Sequence, residues 1–471
     1  MGAVQVAQAL KAERVGNPGV DAGLLLLLVL LFALLGSAAG LGTGLLPGVH
    51  VNNVALLVLA AWPGIAGALA PLVAPEEAVL LAAAFLAAAS VAHGIVGLLP
   101  SVFLGAPDSE TALSVLPGHR LLSRGRGYEA VVLGARGAFF GTLVALPFLL
   151  PFRLLLGPPV GAYDRLRRVL PFLLLFLVAL MIATEGRAAG PGRAARKRVG
   201  AVVLLLIAGA LGWVVLRPGF LQSAWAPLAG GGDSRILFPL FTGLFGFPTL
   251  LLSARTRGHL PPQDLGMPEP LPTGRATRGL LAGTLAGASV SWFPGLGGSN
   301  ATVVAQLFAG VEAREDDPNA DREFLFAAGA AGAATTVFTF AALFVISRAR
   351  SGVAAAVQAL SDGGVGWDRV ADVPALFAAI LLAVVVAAAL AYGSTVRLAR
   401  PFAVLAGRIR YGRVAATVAG ALAVAVFVAT GPLGLLVLAS AAALGLVPAL
   451  VGIRRVHLMG CLLLPLLFGG L

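Results

Sequence analysis

Charge is scarce in this chain: of 471 residues, 11% are charged and 59% hydrophobic, and the mean hydropathy is +0.95. That scarcity excludes a water-soluble domain and a disordered chain, and leaves a polytopic membrane protein. Cysteine is nearly missing too, and the lone Cys461 excludes an internal disulfide. Five scattered histidines show no metal-ligand spacing, so no metal site is expected and no cofactor beyond a coupling ion.

What charge there is has one sign. The net charge is +12, nearly all of it arginine, which in a soluble protein would point to nucleic acid. Here the arginines gather in loops, around Arg187 to Arg198 and in "SARTRGH" from Ser253 to His259. Cytoplasmic loops collect such residues under the positive-inside rule, and no nucleic-acid partner is expected. The N-terminus carries Lys11 and Arg14 but also Glu13 and Asp21, with no small-residue cleavage pattern after the first apolar run. It reads as a retained helix.

A hydrocarbon core of about 30 Å needs roughly 20 apolar residues per helix, and such runs recur throughout. Spans are expected near residues 22–39, 52–70, 78–104, 128–156, 166–184, 200–216 and 235–253, then 279–293, 300–311, 324–347, 372–394, 412–430, 432–450 and 455–471. The fold class is an all-α polytopic membrane protein of about 10–14 hydrophobic helices, located in the cell membrane and surrounded by the lipid bilayer. Two stretches look like broken or re-entrant half-helices: 52–70, which contains "WPG" at Trp62 to Gly64, and 300–311, only about 18 Å long. The Pro-rich "HLPPQDLGMPEPLPTG" divides the chain into an N-terminal half (1–254), a cytoplasmic linker (255–278) and a C-terminal half (279–471).

The halves resemble each other. "GSAAGLGTGLLPGVHVNN" from Gly36 and "GTLAGASVSWFPGLGGSN" from Gly283 align without a gap, matching Gly36 with Gly283, Ala39 with Ala286, Gly40 with Gly287, Pro47 with Pro294, Gly48 with Gly295 and Asn53 with Asn300. A weaker match follows each copy, "FLAAASVAHG" from Phe85 and "FLFAAGAAGA" from Phe324. Two structural repeats with broken helices at corresponding positions are a sequence pointer to a secondary transporter's binding site. If each broken stretch returns to its starting side, an odd number of crossings separates the copies. Inverted repeats are the expectation.

Proline removes a helix donor and clashes one turn back, while glycine permits unusual backbone, so each helix must end or kink at Pro47 and Pro294. Irregular backbone at membrane depth survives only where protein or a polar cavity surrounds it. Asn52 or Asn53 and Ser299 or Asn300 then fall where helix N-caps belong. Two helix N-termini facing each other would cradle an anion such as a carboxylate or phosphate. The competing explanation for the small residues is close helix packing alone.

Ionisable groups in apolar segments are costly and usually functional. His93 lies inside the third span and is a candidate for coupling or gating, as are Asp108 in "FLGAPDSETALSVLPGHRLL" and Arg348 and Arg350 in "ISRARSG". Glu110 follows Asp108 in the same turn-like stretch. Glu129 and Arg136, seven apart, share a helix face and could touch, and Glu76 and Glu77 read as a loop.

From "GLLPGVHVNN", "PSVFLGAPDSETALSVLPGHRLLSRGRGYEAV", "FPGLGGSNATVVAQ" and "EFLFAAGAAGAATTVFTFAALFVISRARSG", the sequence resembles the large permease subunit of tripartite tricarboxylate transporters (TctA type), particularly its archaeal branch. The resemblance implies a secondary carrier for tricarboxylates or related carboxylates. It also implies an ion gradient, Na+ or H+, a solute-binding protein and a small membrane subunit. Substrate-binding positions carried over are Pro47, Gly48, Asn52, Asn53, Pro294, Gly295, Gly297, Gly298, Ser299 and Asn300.

A secondary transporter of a small organic anion, not an enzyme, is therefore the expected function, with a homo-oligomer as a further expectation. Similar Pro-Gly hairpins handle polyprenyl-phosphate lipids, so an anionic lipid headgroup is the alternative cargo. An intramembrane hydrolase, with Ser299 as nucleophile and His93 as base, is a weaker alternative because no acidic group is identifiable to orient the base. A scaffold subunit without transport activity is a third.

Overall fold

The computed structural model describes residues 20–46, 51–103, 114–183, 185–186, 191–217, 220, 236, 239–240, 242–254, 261–293, 296–310, 317, 319–361, 364–406 and 411–468. All regular structure among them is helical. In chain order these helices are α1 (Ala22–Leu45), α2 (Val51–Leu69), α3 (Pro75–Val96), α4 (Leu98–Phe103), α5 (Val115–Ser123), α6 (Gly127–Leu156), α7 (Ala162–Ala183) and α8 (Pro191–Val215). A π turn at Thr242–Gly246 leads into α9 (Phe247–Ala254), followed by α10 (Thr273–Val290), α11 (Gly298–Ala309), α12 (Ala320–Ile346), α13 (Gly352–Leu360), α14 (Ala375–Ala406), α15 (Tyr411–Val451) and α16 (Gly460–Leu467). Among the described residues, seven stretches are long and apolar enough to cross a membrane: Ala22–Leu45, Pro75–Phe103, Gly127–Leu156, Gly192–Val215, Ala320–Ile346, Ala375–Leu405 and Thr430–Val451. The protein is a multi-pass membrane protein.

Local chemistry sets the helix ends. Asp21 Oδ1 accepts the Leu24 N–H and caps α1. The helix stops at Leu46, whose extended backbone is what a residue before proline adopts. Pro75 opens α3, and Glu77 reaches back to accept the Ala74 N–H at 2.8 Å, so Glu76 and Glu77 form a first helical turn and not the loop expected. Gly310 closes α11 in the left-handed conformation (φ 63°). Gly431, at φ 67° and followed by Pro432, divides α15 into two runs, a conformation that an L side chain resists.

Packing depends on glycines that let backbones touch. A methyl group on Gly36 would lie 2.1 Å from the Phe85 carbonyl oxygen, one on Gly40 2.3 Å from that of Ala89, and one on Gly44 2.7 Å from that of His93. Both chains advance together through these contacts, so α1 and α3 are parallel. The same register recurs where Gly283 meets the Ala327 carbonyl at 2.4 Å and Gly287 that of Ala331 at 3.0 Å, making α10 and α12 parallel. Lipid tails are as apolar as leucine, so close van der Waals contact of this kind holds the helices together.

The two parallel pairs run in opposite directions. Gly127 meets Phe103 and Gly134 meets Leu98, so α6 opposes the α3–α4 span. Gly137 meets Phe326 and Gly141 meets Ala330, so α6 runs with α12. Parallel neighbours need a connection that crosses back. In the first pair, Leu45 stands about level with Gly94, roughly 28 Å from the start of α3, and α2 is itself about 28 Å long. In the second pair the return carries α11, about 18 Å long.

Helices from the two halves interleave. One core cluster joins α1 to α6 with α12, α13 and α14, while others join α7 and α8 with α10, α11, α15 and α16. Nor does the linker hang free over its described part. Gln263 accepts the Gly127 N–H at 2.8 Å and donates to the Leu122 carbonyl at 3.1 Å, and the Asp264 N–H donates to Gly125 at 2.7 Å. Two expectations shift: α2 continues as one helix through Pro63 and is not a short half-helix, and α11 opens at Gly298 after an extended Gly297 that makes no side-chain cap. Asn52, Asn53, Ser299 and Asn300 accordingly sit inside first turns, past the cap positions.

Candidate functional site

Pro47, Gly48, Pro294, Gly295, Asp108 and Glu110 lie outside the described residues. The residues that follow the two breaks fall in different core clusters. Val51 and Ala55 of α2 pack in the cluster that holds Val353 and Ala354 of α13, whereas Leu296, Ala301 and Ala305 around the start of α11 pack with Val178, Leu205 and Leu463. Gly297 is extended, Gly298 is buried, Ser299 and Asn300 are half-buried, and the Thr302 hydroxyl donates to the Gly298 carbonyl at 2.9 Å.

The structure instead brings Asn52 to α13. A methyl group on Gly352 would come within 2.7 Å of Asn52 Cγ and 2.8 Å of its Oδ1. Gly352 opens α13, whose N-cap is Ser351: its hydroxyl oxygen accepts the Ala354 N–H at 3.1 Å. One residue earlier stands Arg350, whose Nη2 donates to Tyr163 Oη at 2.8 Å and whose guanidinium lies 5.7 Å from that ring's centre. Burial pulls the Arg350 pKa below its ordinary value, with Tyr163 opposing the shift, and a guanidinium stays cationic at physiological pH. Arg348 is exposed. An amide from the N-terminal half thus reaches a helix start of the C-terminal half, two residues after Arg350. A nine-residue helix behind "RARS" is too short to declare itself among longer apolar runs, and only the Ser-Gly pair after the arginines hinted at its cap.

His93 is 4% exposed, and its Nδ1 lies 3.1 Å from Thr43 Oγ1 near the end of α1, one turn before the proline break. In the register of the second pair, Thr335 holds the corresponding place, so the titratable group occurs in one copy only. Glu129 and Arg136 do not touch. Glu129 pairs with Arg322 at 2.7 Å and with Arg126 at 2.5 Å, and Arg136 reaches Tyr392 Oη at 3.4 Å.

Two charge clusters escaped the sequence reading because their members are far apart in the chain. One joins the starts of α6 and α12: besides Glu129 with Arg322, Arg278 grips Glu323 through two bonds of 2.7 and 2.8 Å, and Arg120 pairs with Asp321. The second joins Glu185, Arg454 and His457. Among the described residues, no group of three or more His, Cys, Asp and Glu is placed to hold a metal ion.

Opposed parallel helix pairs, glycine-packed spans and polar groups drawn from distant helices define a polytopic helical membrane protein. The model of the tripartite tricarboxylate transporter TctA family matches residues 30–460, and the chain belongs to that family. It is a transporter family and not an enzyme family, and its name describes a system of several components, with partner subunits and a substrate-binding protein. An uncharacterized protein of Methanocaldococcus jannaschii is 28% identical over 337 residues, covering 71% of this chain and 74% of the relative. No solved structure matches the chain.

Proposed function

We propose that the chain is a secondary carrier that moves a small organic anion, a tricarboxylate or a related carboxylate, down the pull of a sodium or proton gradient. One observation carries this reading: Asn52, from the returning leg of the first parallel pair, lies against Gly352 at the start of α13, next but one to the half-buried cation Arg350. Backbone N–H groups at a helix start, an amide and a guanidinium together suit a carboxylate. The first turn of α11, with Ser299 and Asn300, supplies a second polar edge in the other half. Opposed helix pairs support alternating access, in which one repeat rocks against its inverted partner.

Uptake of labelled citrate into proteoliposomes, with and without sodium or pH gradients, tests the proposal. Gradient-dependent accumulation that weakens in Arg350→Ala and Asn52→Leu is expected. Absence of uptake of any carboxylate under either gradient sinks it. Adding a solute-binding protein and small membrane subunit from the same genome determines whether the carrier works alone.

A further inference from the structure

We propose that Glu185 and His457 form a proton-binding site that links proton uptake to movement of the end of α7 against the segment joining α15 to α16. The coupling to transport rests on the carrier reading above; the proton binding does not.

Glu185 stands two residues past the end of α7, its own N–H donating to the Ile182 carbonyl at 3.0 Å and Gly186 turning the chain at φ 70°. His457 lies in the 3-10 turn Arg455–Met459 that precedes α16. Its Nε2 is 2.9 Å from Glu185 Oε2, and Arg454 Nε donates to the same oxygen at 2.8 Å while Arg454 Nη2 donates to the Met181 carbonyl at 2.6 Å. His457 is 0% exposed and Glu185 3%. These residues stand outside the seven apolar spans.

The charges balance in one protonation state. Carboxylate and guanidinium cancel, and a neutral imidazole with its hydrogen on Nε2 donates to Glu185. That leaves the Nδ1 lone pair enclosed, with no hydrogen-bond partner among the described residues. A hydronium ion delivers a proton to Nδ1: its O–H bond breaks, the Nδ1–H bond forms, water is released, and the cluster's formal charge rises from zero to one positive.

Closed packing resists that proton. Burial pushes the His457 pKa below its ordinary 6.5, against the pull of Glu185, and the Arg454 charge adds to the depression. Burial also pushes Glu185 up, but the hydrogen bonds from Arg454 and His457 outweigh it and hold the carboxyl below its ordinary 4.5. The other charged groups around the cluster among the described residues are cations. Arg455 shares the turn, and on α8 Lys197 borders both Gly186 and Gly452, with Arg193, Arg196 and Arg198 on the same first turns. The last turns of α7, the last turns of α15 and all of α16 carry no charge. Water admitted between α7 and the 453–459 segment would remove the burial and leave Glu185 to attract the proton. Protonation therefore favours the opened arrangement, and closure expels the proton.

The test uses the full chain in lipid nanodiscs with 15N-labelled histidine. The resonance that disappears in His457→Gln should titrate below 6.5, shift to still lower pH in Glu185→Gln, and recover in Glu185→Asp. In proteoliposomes, pH-gradient-driven citrate uptake should fall about tenfold in Glu185→Gln, while citrate counterflow without a gradient persists. A midpoint unmoved by Glu185→Gln overturns the proton site. Uptake in that variant with the wild-type pH profile overturns the coupling. Should the wild type carry no carboxylate under either gradient, the carrier reading fails and the titration alone decides the proton site.

Discussion

Asn52 of α2 and Gly352 of α13 are packed so closely that Gly352 has no room for a side chain: a methyl group would sit 2.7 Å from Asn52 Cγ. The two residues are 300 positions apart, and their contact fastens the returning leg of one parallel pair to the short helix that follows the other.

Gly352→Ala should therefore displace the Asn52 side chain while leaving the helices in place, because the colliding atoms end a movable side chain. The expected result is a KM for citrate raised several-fold with an almost unchanged melting temperature. Equal losses in both would mean that the contact is only structural.

Glycines against backbone carbonyls should behave differently. Gly36→Ala sets a methyl 2.1 Å from the Phe85 oxygen, and backbone cannot step aside, so a loss of about 1–3 kcal/mol is expected. Gly42, with nothing within 4 Å, is the control, and Gly42→Ala should be neutral. Thermal unfolding in detergent compares them.

Removing Glu129 leaves Arg322 as a buried charge whose main partner has gone. Glu129→Ala should cost about 3–5 kcal/mol, the range for breaking one side of a buried pair. Arg369→Ala, which loses an exposed 3.9 Å pair with Asp372, should leave the melting temperature where it was.

Acid should loosen the protein in two steps set by Glu185 and His457. Both have folded-state pKa values below their ordinary ones, so the unfolded chain binds more protons and stability falls as pH falls. The histidine contribution, complete above 6.5, is lost as pH drops below that value, and the carboxylate contribution is lost below 4.5. His457→Gln should flatten the upper limb of a plot of melting temperature against pH, and Glu185→Gln the lower. A wild-type melting temperature that rises on acidification through this range would contradict both assignments.

The membrane class, the positions of the main spans and the paired glycine motifs were legible in the sequence, because each depends on local composition or on a short period. His93 was recognisable as a membrane-embedded histidine for the same reason. Its Thr43 partner was not, because that bond depends on α1 and α3 running side by side in one register. Asn52 was picked out as a cap and is instead a first-turn residue, a shift of the size that helix boundaries often show. The short α13 was missed because nine mostly apolar residues resemble part of any neighbouring span.

Sequence alone determined that this chain lives in a bilayer, where the main apolar runs cross it, and that α1 ends before Pro47. Those outcomes follow from transfer of side chains into lipid and from the missing proline N–H, which act over a few residues. Tertiary structure decided that Asn52 meets Gly352 two residues after Arg350, that Arg322 and not Arg136 pairs with Glu129, and that Glu185 and His457 form a buried hydrogen-bonded pair. Each joins residues tens to hundreds of positions apart, and only the close approach of helix backbones over glycine, which has no counterpart in local sequence pattern, brings such groups within hydrogen-bonding distance.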